Sequence, residues 1–124
     1  MKMKKLVLLM MISAFVASCQ TQKAVVSNAD RTEIKPMVLD SETVLVDVRI
    51  PDQFEKKSAE GAINIPLAEL QNNLGLLKGK NVVVFCNSGR QAGEAVEILK
   101  KNGVNTVYNA KTLNNVEAIK NEKK

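Results

Sequence analysis

The sequence predicts an α/β fold of three layers, α/β/α, built around a small parallel sheet. Three observations carry the prediction. Short apolar, β-branched runs alternate with segments of helical period from Val44 to the C-terminus. One of the runs, Val82-Val83-Val84-Phe85, is apolar at every position, as a strand covered on both faces must be. Each run reaches the next through a helical segment, the pattern of right-handed βαβ crossovers with helices on both faces of the sheet. A chain of 124 residues has room for one domain. Its 45% hydrophobic and 25% charged residues fit a globular protein rather than a disordered one.

The first segment reads as an address. Met1 to Lys5 is basic, Leu6 to Val16 is apolar but too short for a comfortable membrane span, and small residues follow in Val16-Ala17-Ser18-Cys19. This is the layout of a secretory signal peptide, and its last four residues are similar to a bacterial lipobox, in which cleavage precedes the Cys and the Cys carries lipid. An ordinary signal peptide with an incidental Cys, or a plain transmembrane anchor, are the alternatives. The expected organisation is a lipoprotein signal peptide over 1–18, a lipidated Cys19 with a polar, flexible tether over 19–35, and a folded domain over 36–124. That puts the protein in the cell envelope of a bacterium, attached to the membrane through lipid on Cys19 and facing the periplasm or the outer surface.

Within the domain, Val44 to Val48 is a short β-branched strand, and Pro51 to Lys56 begins with Pro and forms a short helix. Gly61 to Pro66 holds a brief strand stopped by Pro. Leu67, Leu70, Leu74 and Leu77 form a helical stripe over 67–77. After the strand Val82–Phe85, Ala92, Ala95, Val96 and Leu99 follow the i, i+3, i+4, i+7 spacing of an amphipathic helix that starts near Ala92. Glu97 and Lys101 stand i, i+4 on its outer face, and Asn102-Gly103 supplies its stop. Val104 to Tyr108 is the next strand and Leu113 to Ile119 the last helix. Gly75 to Lys80 only faintly suggests a phosphate loop; it lacks the spacing and the hydroxyl residue after Lys.

Composition excludes whole classes of chemistry. The chain has no His, so Ser-His-Asp triads, Cys-His proteases and His-ligated metals are ruled out. Two cysteines exclude a Cys-rich zinc site and a multi-disulfide scaffold. If Cys19 is lipidated, Cys86 is the only thiol left. Loss of Lys2, Lys4 and Lys5 with the signal takes 18 basic residues to 15 against 13 acids, so the net charge falls from +5 to +2. Lys120, Lys123 and Lys124 then read as a solvated C-terminus, and no nucleic-acid partner is expected.

The chemistry gathers in Cys86-Asn87-Ser88-Gly89-Arg90-Gln91, between a buried strand and the best helix. In an open α/β sheet, ligands bind beyond the carboxyl ends of the strands. A Cys at this turn faces a helix N-terminus, whose dipole and unpaired N–H groups favour an anion. The loop amides of Asn87, Ser88, Gly89 and Gln91 make a nest for an oxyanion or a charged sulfur, Gly89 permits the curvature, and Arg90 adds a full positive charge. Cys86 is the candidate nucleophile and residues 87–91 the candidate substrate site. A small buried Cys with a surface Arg is the bland alternative.

The stretch Phe85-Cys86-Asn87-Ser88-Gly89-Arg90-Gln91-Ala92-Gly93 resembles the active-site loop of single-domain rhodaneses. Asp47-Val48-Arg49 resembles that family's Asp-x-Arg signature, Gly61-Ala62-Ile63-Asn64-Ile65-Pro66 its Gly-Ala-x-Asn-Ile-Pro, and Tyr108-Asn109-Ala110 the segment before its last helix. Two positions depart from the pattern: Ser58 replaces a common His, and Lys111-Thr112 replaces a Gly-Gly pair. The resemblance implies a rhodanese-like sheet of four to five strands with a reduced N-terminal part. It implies a thiosulfate sulfurtransferase in which a Cys86 persulfide carries sulfur from thiosulfate or another sulfane donor to cyanide or a thiol, with no metal or organic cofactor. Asp47 and Arg49 then support the loop by hydrogen bonds, and Asn64 and Pro66 shape a turn. A phosphatase on the same fold would need Cys-x5-Arg, and that position is Ala92. A noncatalytic lipid-anchored binding module, or a persulfide carrier serving an envelope protein, remain as alternative functions.

Overall fold

A computed structural model describes residues 31–122. The elements run α1 (Arg31–Leu39), β1 (Val44–Asp47), α2 (Pro51–Lys56), β2 (Ile63–Asn64), two 3-10 turns (Leu67–Asn72 and Leu74–Leu76), β3 (Val82–Cys86), α3 (Arg90–Lys101), β4 (Val107–Thr112) and α4 (Leu113–Glu122). The four strands form one parallel sheet in the order β2-β1-β3-β4.

Alternation along β3 divides the core. Val82, Val84 and Cys86 face one side, with Leu70, Leu77, Ala92, Ala95, Val96 and Leu99. Val83 and Phe85 face the other, with Ile34, Val38, Leu113, Val116 and Ile119. All five residues of β3 are buried, which is why this strand is apolar at successive positions. The expected α/β/α layering is thus present: α3 and the 3-10 turns cover one face, α1 and α4 the other.

Chain order fixes where a site can form. From β1 the chain crosses to β2 on one side and then to β3 on the other, so the strand order reverses between β1 and β3. In open α/β sheets ligands bind beyond the carboxyl ends of the strands at such a switch point. Asp47 pairs with Phe85 there, and Val48 N–H donates to the Phe85 carbonyl at 3.1 Å.

Several elements differ from the sequence-based expectation. Residues 31–35, expected in the tether, form the start of α1, with Ile34 buried. The pattern was faint because Ile34 and Val38 are the only buried positions in a polar stretch, and Pro36 lies inside the helix. The single helix over 67–77 is two 3-10 turns broken at Asn73. Leu67–Leu70 and Leu74–Leu77 are each three apart, the spacing that eclipses on a 3-10 turn, while Gly75 weakens a continuous α-helix. Leu70 and Leu77 are nonetheless fully buried. The fourth strand starts at Val107, not Val104, because Val104 closes α3. Its N–H donates to the Leu99 carbonyl at 2.9 Å and Gly103 N–H to that of Lys100 at 3.3 Å, a Schellman stop with Gly103 at φ 93°. Glu97 and Lys101 are exposed and form no ion pair among the described residues. The rest of the tether, Cys19 and the signal segment lie outside the described residues.

Candidate active site

Cys86 is the last residue of β3 and is 1% exposed. Gly89 follows as the N-cap of α3 with φ 98°, a left-handed conformation that turns the chain sharply back over the sulfur. Two amides then point at it: Gly89 N–H donates to Cys86 Sγ at 3.0 Å and Ala92 N–H at 3.4 Å. On the far side the thiol donates to the Lys111 carbonyl at 3.6 Å. Both N–H groups belong to the cap and first turn of α3, where intrahelical acceptors are lacking. The sulfur fills that role, and a negative charge on it gains from the helix dipole.

The first turn begins earlier than the apolar spacing suggested. Arg90 is already helical, so Arg90 and Gln91 occupy the first two positions of α3. The Arg90 guanidinium is exposed and makes no hydrogen bond or ion pair among the described residues. Ser88 is exposed, and its Oγ accepts from Arg90 N–H at 3.4 Å, bracing the turn. Gln91 is half-buried. The residue that sequence reasoning missed is Ala92. Its amide is the second donor to the sulfur, a role no side-chain pattern could reveal.

Below the loop lies a buried ion pair. Arg49 Nε and Nη2 donate to the Asp47 carboxylate at 2.9 and 2.7 Å, and Arg49 N–H reaches Asp47 Oδ1 at 3.0 Å. Asp47 is fully buried and Arg49 is 5% exposed. A carboxylate this buried needs its lone pairs filled, and Ser58 Oγ donates to Asp47 Oδ2 at 2.7 Å. Ser58 thereby serves as a neutral donor to the carboxylate. The hydrogen bond from Arg49 to Asp47 holds the guanidinium above its ordinary value; burial opposes it. Arg49 extends the support upward, Nη1 donating to Asn87 Oδ1 at 3.2 Å and Nη2 to the Lys57 carbonyl at 2.6 Å. Asn87 is therefore anchored to the ion pair through its side chain. Asn64 Nδ2 donates to the Asp47 and Arg49 carbonyls, both at 2.9 Å, and fixes the end of β1.

The β4 side carries a second feature that the sequence did not expose. Register shifts between Val84, opposite Asn109, and Phe85, opposite Lys111, leaving Ala110 as an extra residue. Lys111 follows at φ 70°, and buried Asn109 holds it by accepting Lys111 N–H at 2.7 Å. The bulge turns the Lys111 carbonyl toward Cys86. The left-handed backbone here suits the Gly of the pattern noted above, which meets that demand without strain, and Lys111 adopts it at a cost.

Comparison with known proteins gives the family and the fold. The family model described as Rhodanese-like domain matches residues 30–112. Thiosulfate sulfurtransferase PspE of Escherichia coli is 42% identical over 74 residues, covering 57% of this chain and 71% of that protein. The uncharacterized protein YqhL of Bacillus subtilis is 30% identical over 114 residues, covering 88% and 89% of the two chains. Among solved structures, a rhodanese with anions from E. coli superposes with a TM-score of 0.56 at 41% identity, covering 59% of this chain and 89% of that one.

Proposed function

The chain belongs to the rhodanese-like domain family of sulfurtransferases, and from that premise we propose that it is a thiosulfate sulfurtransferase working through a persulfide on Cys86. The observation that carries the reading is the convergence of the Gly89 and Ala92 amides on Cys86 Sγ. The relative Thiosulfate sulfurtransferase PspE supports the choice of donor.

In the first half-reaction the Cys86 thiolate attacks the outer sulfur of thiosulfate. The sulfur–sulfur bond breaks, sulfite leaves with the bonding pair, and the negative charge passes to the terminal sulfur of the Cys86 persulfide. The amides at the start of α3 face this region, and a hydrogen bond to a charged group contributes about 1.5–3 kcal/mol. Arg90, exposed and uncommitted, supplies a counter-charge to the incoming sulfonate. In the second half-reaction cyanide or a thiolate attacks the terminal sulfur, and Cys86 leaves as thiolate. This ping-pong route requires a nucleophile and an anion cradle and no proton shuttle, which suits a chain without histidine. The lipobox-like Val16-Ala17-Ser18-Cys19 supports membrane attachment in a bacterial envelope, so the reading includes a lipid on Cys19.

A thiosulfate:cyanide assay tests the proposal. Thiocyanate should form with wild-type protein and not with Cys86→Ser, whose hydroxyl is neutral at pH 7 and lacks a base. Equal rates for the two proteins would remove Cys86 from the chemistry.

A further inference from the structure

Lys111 is the only non-glycine residue in left-handed backbone among the described residues, at φ 70°. A side chain in that conformation is strained, and such strain persists where surrounding contacts enforce it. Here the enforcement is the bulge at Ala110 and the hydrogen bond from Lys111 N–H to buried Asn109. The strained residue borders the reacting atom directly, its carbonyl accepting from Cys86 Sγ at 3.6 Å. Its stem lies against the loop: a β-carbon built on Gly89 would meet Lys111 Cβ at 3.5 Å and Cγ at 3.8 Å.

The charge at its end is uncommitted. Near the same end of the sheet, Arg49 is paired with Asp47 and Lys57 with Glu117 at 3.3 Å. The Lys111 side chain is exposed and makes no hydrogen bond or ion pair among the described residues, as is true of Arg90. Arg90 comes from the start of α3 and Lys111 from the bulge of β4, so two free cations flank Cys86 from different elements. The four-carbon stem of lysine is long and flexible enough to carry its ammonium to the mouth of the loop.

We propose that Lys111 is a specificity-determining residue of the sulfur-donor site, favouring anionic donors over neutral ones at Cys86. The proposal rests on the sulfurtransferase reading and names the substrate charge that the site selects. Thiosulfate, a dianion that departs as the sulfite dianion, is the kind of donor two flanking cations favour at both stages. A neutral polysulfide gains nothing from them.

The test compares alkylation of Cys86 in the full chain by iodoacetate and by iodoacetamide, which differ chiefly in charge. Both form a sulfur–carbon bond at the thiolate and release iodide. Rates are read on the peptide that contains Cys86, which separates it from Cys19. In Lys111→Gln the iodoacetate-to-iodoacetamide rate ratio should fall about three- to fivefold at low ionic strength. Lys111→Arg should keep the ratio, and salt near ~1 M should erase the wild-type preference. Lys111→Gly should lose the ratio while relieving the strained backbone, which separates charge from conformation. The thiosulfate KM should rise in Lys111→Gln in similar proportion. An unchanged ratio in Lys111→Gln overturns the assignment, as does failure of both reagents to reach Cys86. Loss of the ratio in Lys111→Gln together with absent wild-type turnover would overturn the sulfurtransferase reading while upholding Lys111 as the anion selector.

Discussion

The groups that hydrogen-bond to the Cys86 sulfur among the described residues are all backbone: two amides and one carbonyl. Side chains act one step away, and their replacement should separate into two kinds of effect. Arg90→Ala removes an exposed charge at the start of α3 and should lower kcat/KM for thiosulfate about ten- to a hundredfold, as loss of one charge-assisted contact does. Its melting temperature should stay within a degree or two of wild type. An unchanged kcat/KM would show that the amides alone bind the anion. Arg49→Ala should behave in the opposite way. It strands the buried Asp47 carboxylate, and breaking such a pair costs about 3–5 kcal/mol, to be read by denaturant unfolding. Arg49→Lys should recover little of that loss, because one ammonium cannot reproduce the fork that spans Asp47, Asn87 and Lys57. At this scale the sequence singled out chemistry-bearing side chains: Cys86 stands at the end of β3, and Asp47 and Arg49 form the buried pair beneath its loop. It was silent on Ala92 and on the Lys111 carbonyl, because backbone groups leave no residue-type signature.

Elements were legible in proportion to their periodicity. The helix of Ala92, Ala95, Val96 and Leu99 was recognisable because one face is wholly buried. Its first turn was not, since Arg90 and Gln91 carry no apolar signal and helix starts are set by caps. Gly89 is that cap, with a backbone that L-residues rarely adopt, so Gly89→Ala should distort the turn and weaken both folding and persulfide formation. The β4 bulge makes the converse prediction. Lys111→Gly should stabilise the domain by about 1 kcal/mol by relieving the left-handed backbone, raising the denaturation midpoint even as anion selectivity falls. The helix α1 escaped notice for lack of a stripe, yet it is fastened to the far end of the chain. Glu122 of α4 pairs with Arg31 and Lys35 of α1. The hydrogen bonds from Lys35 and then Arg31 hold the Glu122 carboxyl below the usual carboxylate range. A depressed folded-state value adds stability above the unfolded value and loses it as pH falls through the folded one. Glu122→Gln should therefore lower the melting temperature at pH 7 and make no difference in strong acid. A Glu122→Gln effect that persists in strong acid would assign the loss to packing rather than to charge.

Across the whole molecule, the reversal of strand order between β1 and β3 unites the ion pair and the nucleophile. Asp47 ends one strand and Cys86 the other, and Arg49 links them through Asn87. The alternation of strands and helices was enough to point to the carboxyl end of the sheet in advance, because parallel crossovers leave few topologies. It could not give the 3-10 turns or the later start of β4, where local turn chemistry overrides apolar spacing. Among the described residues no helix is long and apolar enough to cross a membrane. Attachment through lipid on Cys19 predicts a lipid-modified N-terminal Cys19 by mass spectrometry of protein isolated from its native membrane. Cys19→Ala should release the protein to the soluble fraction with its sulfur transfer intact. The central claim is that the loop after β3 is a cradle for charged sulfur on Cys86, and intact-mass measurement after exposure to thiosulfate alone tests it most directly. The account predicts a mass gain of one sulfur atom, located at Cys86, removed by cyanide and absent in Cys86→Ser. Wild-type protein that gains no sulfur from thiosulfate, or gains it equally in Cys86→Ser, would contradict it.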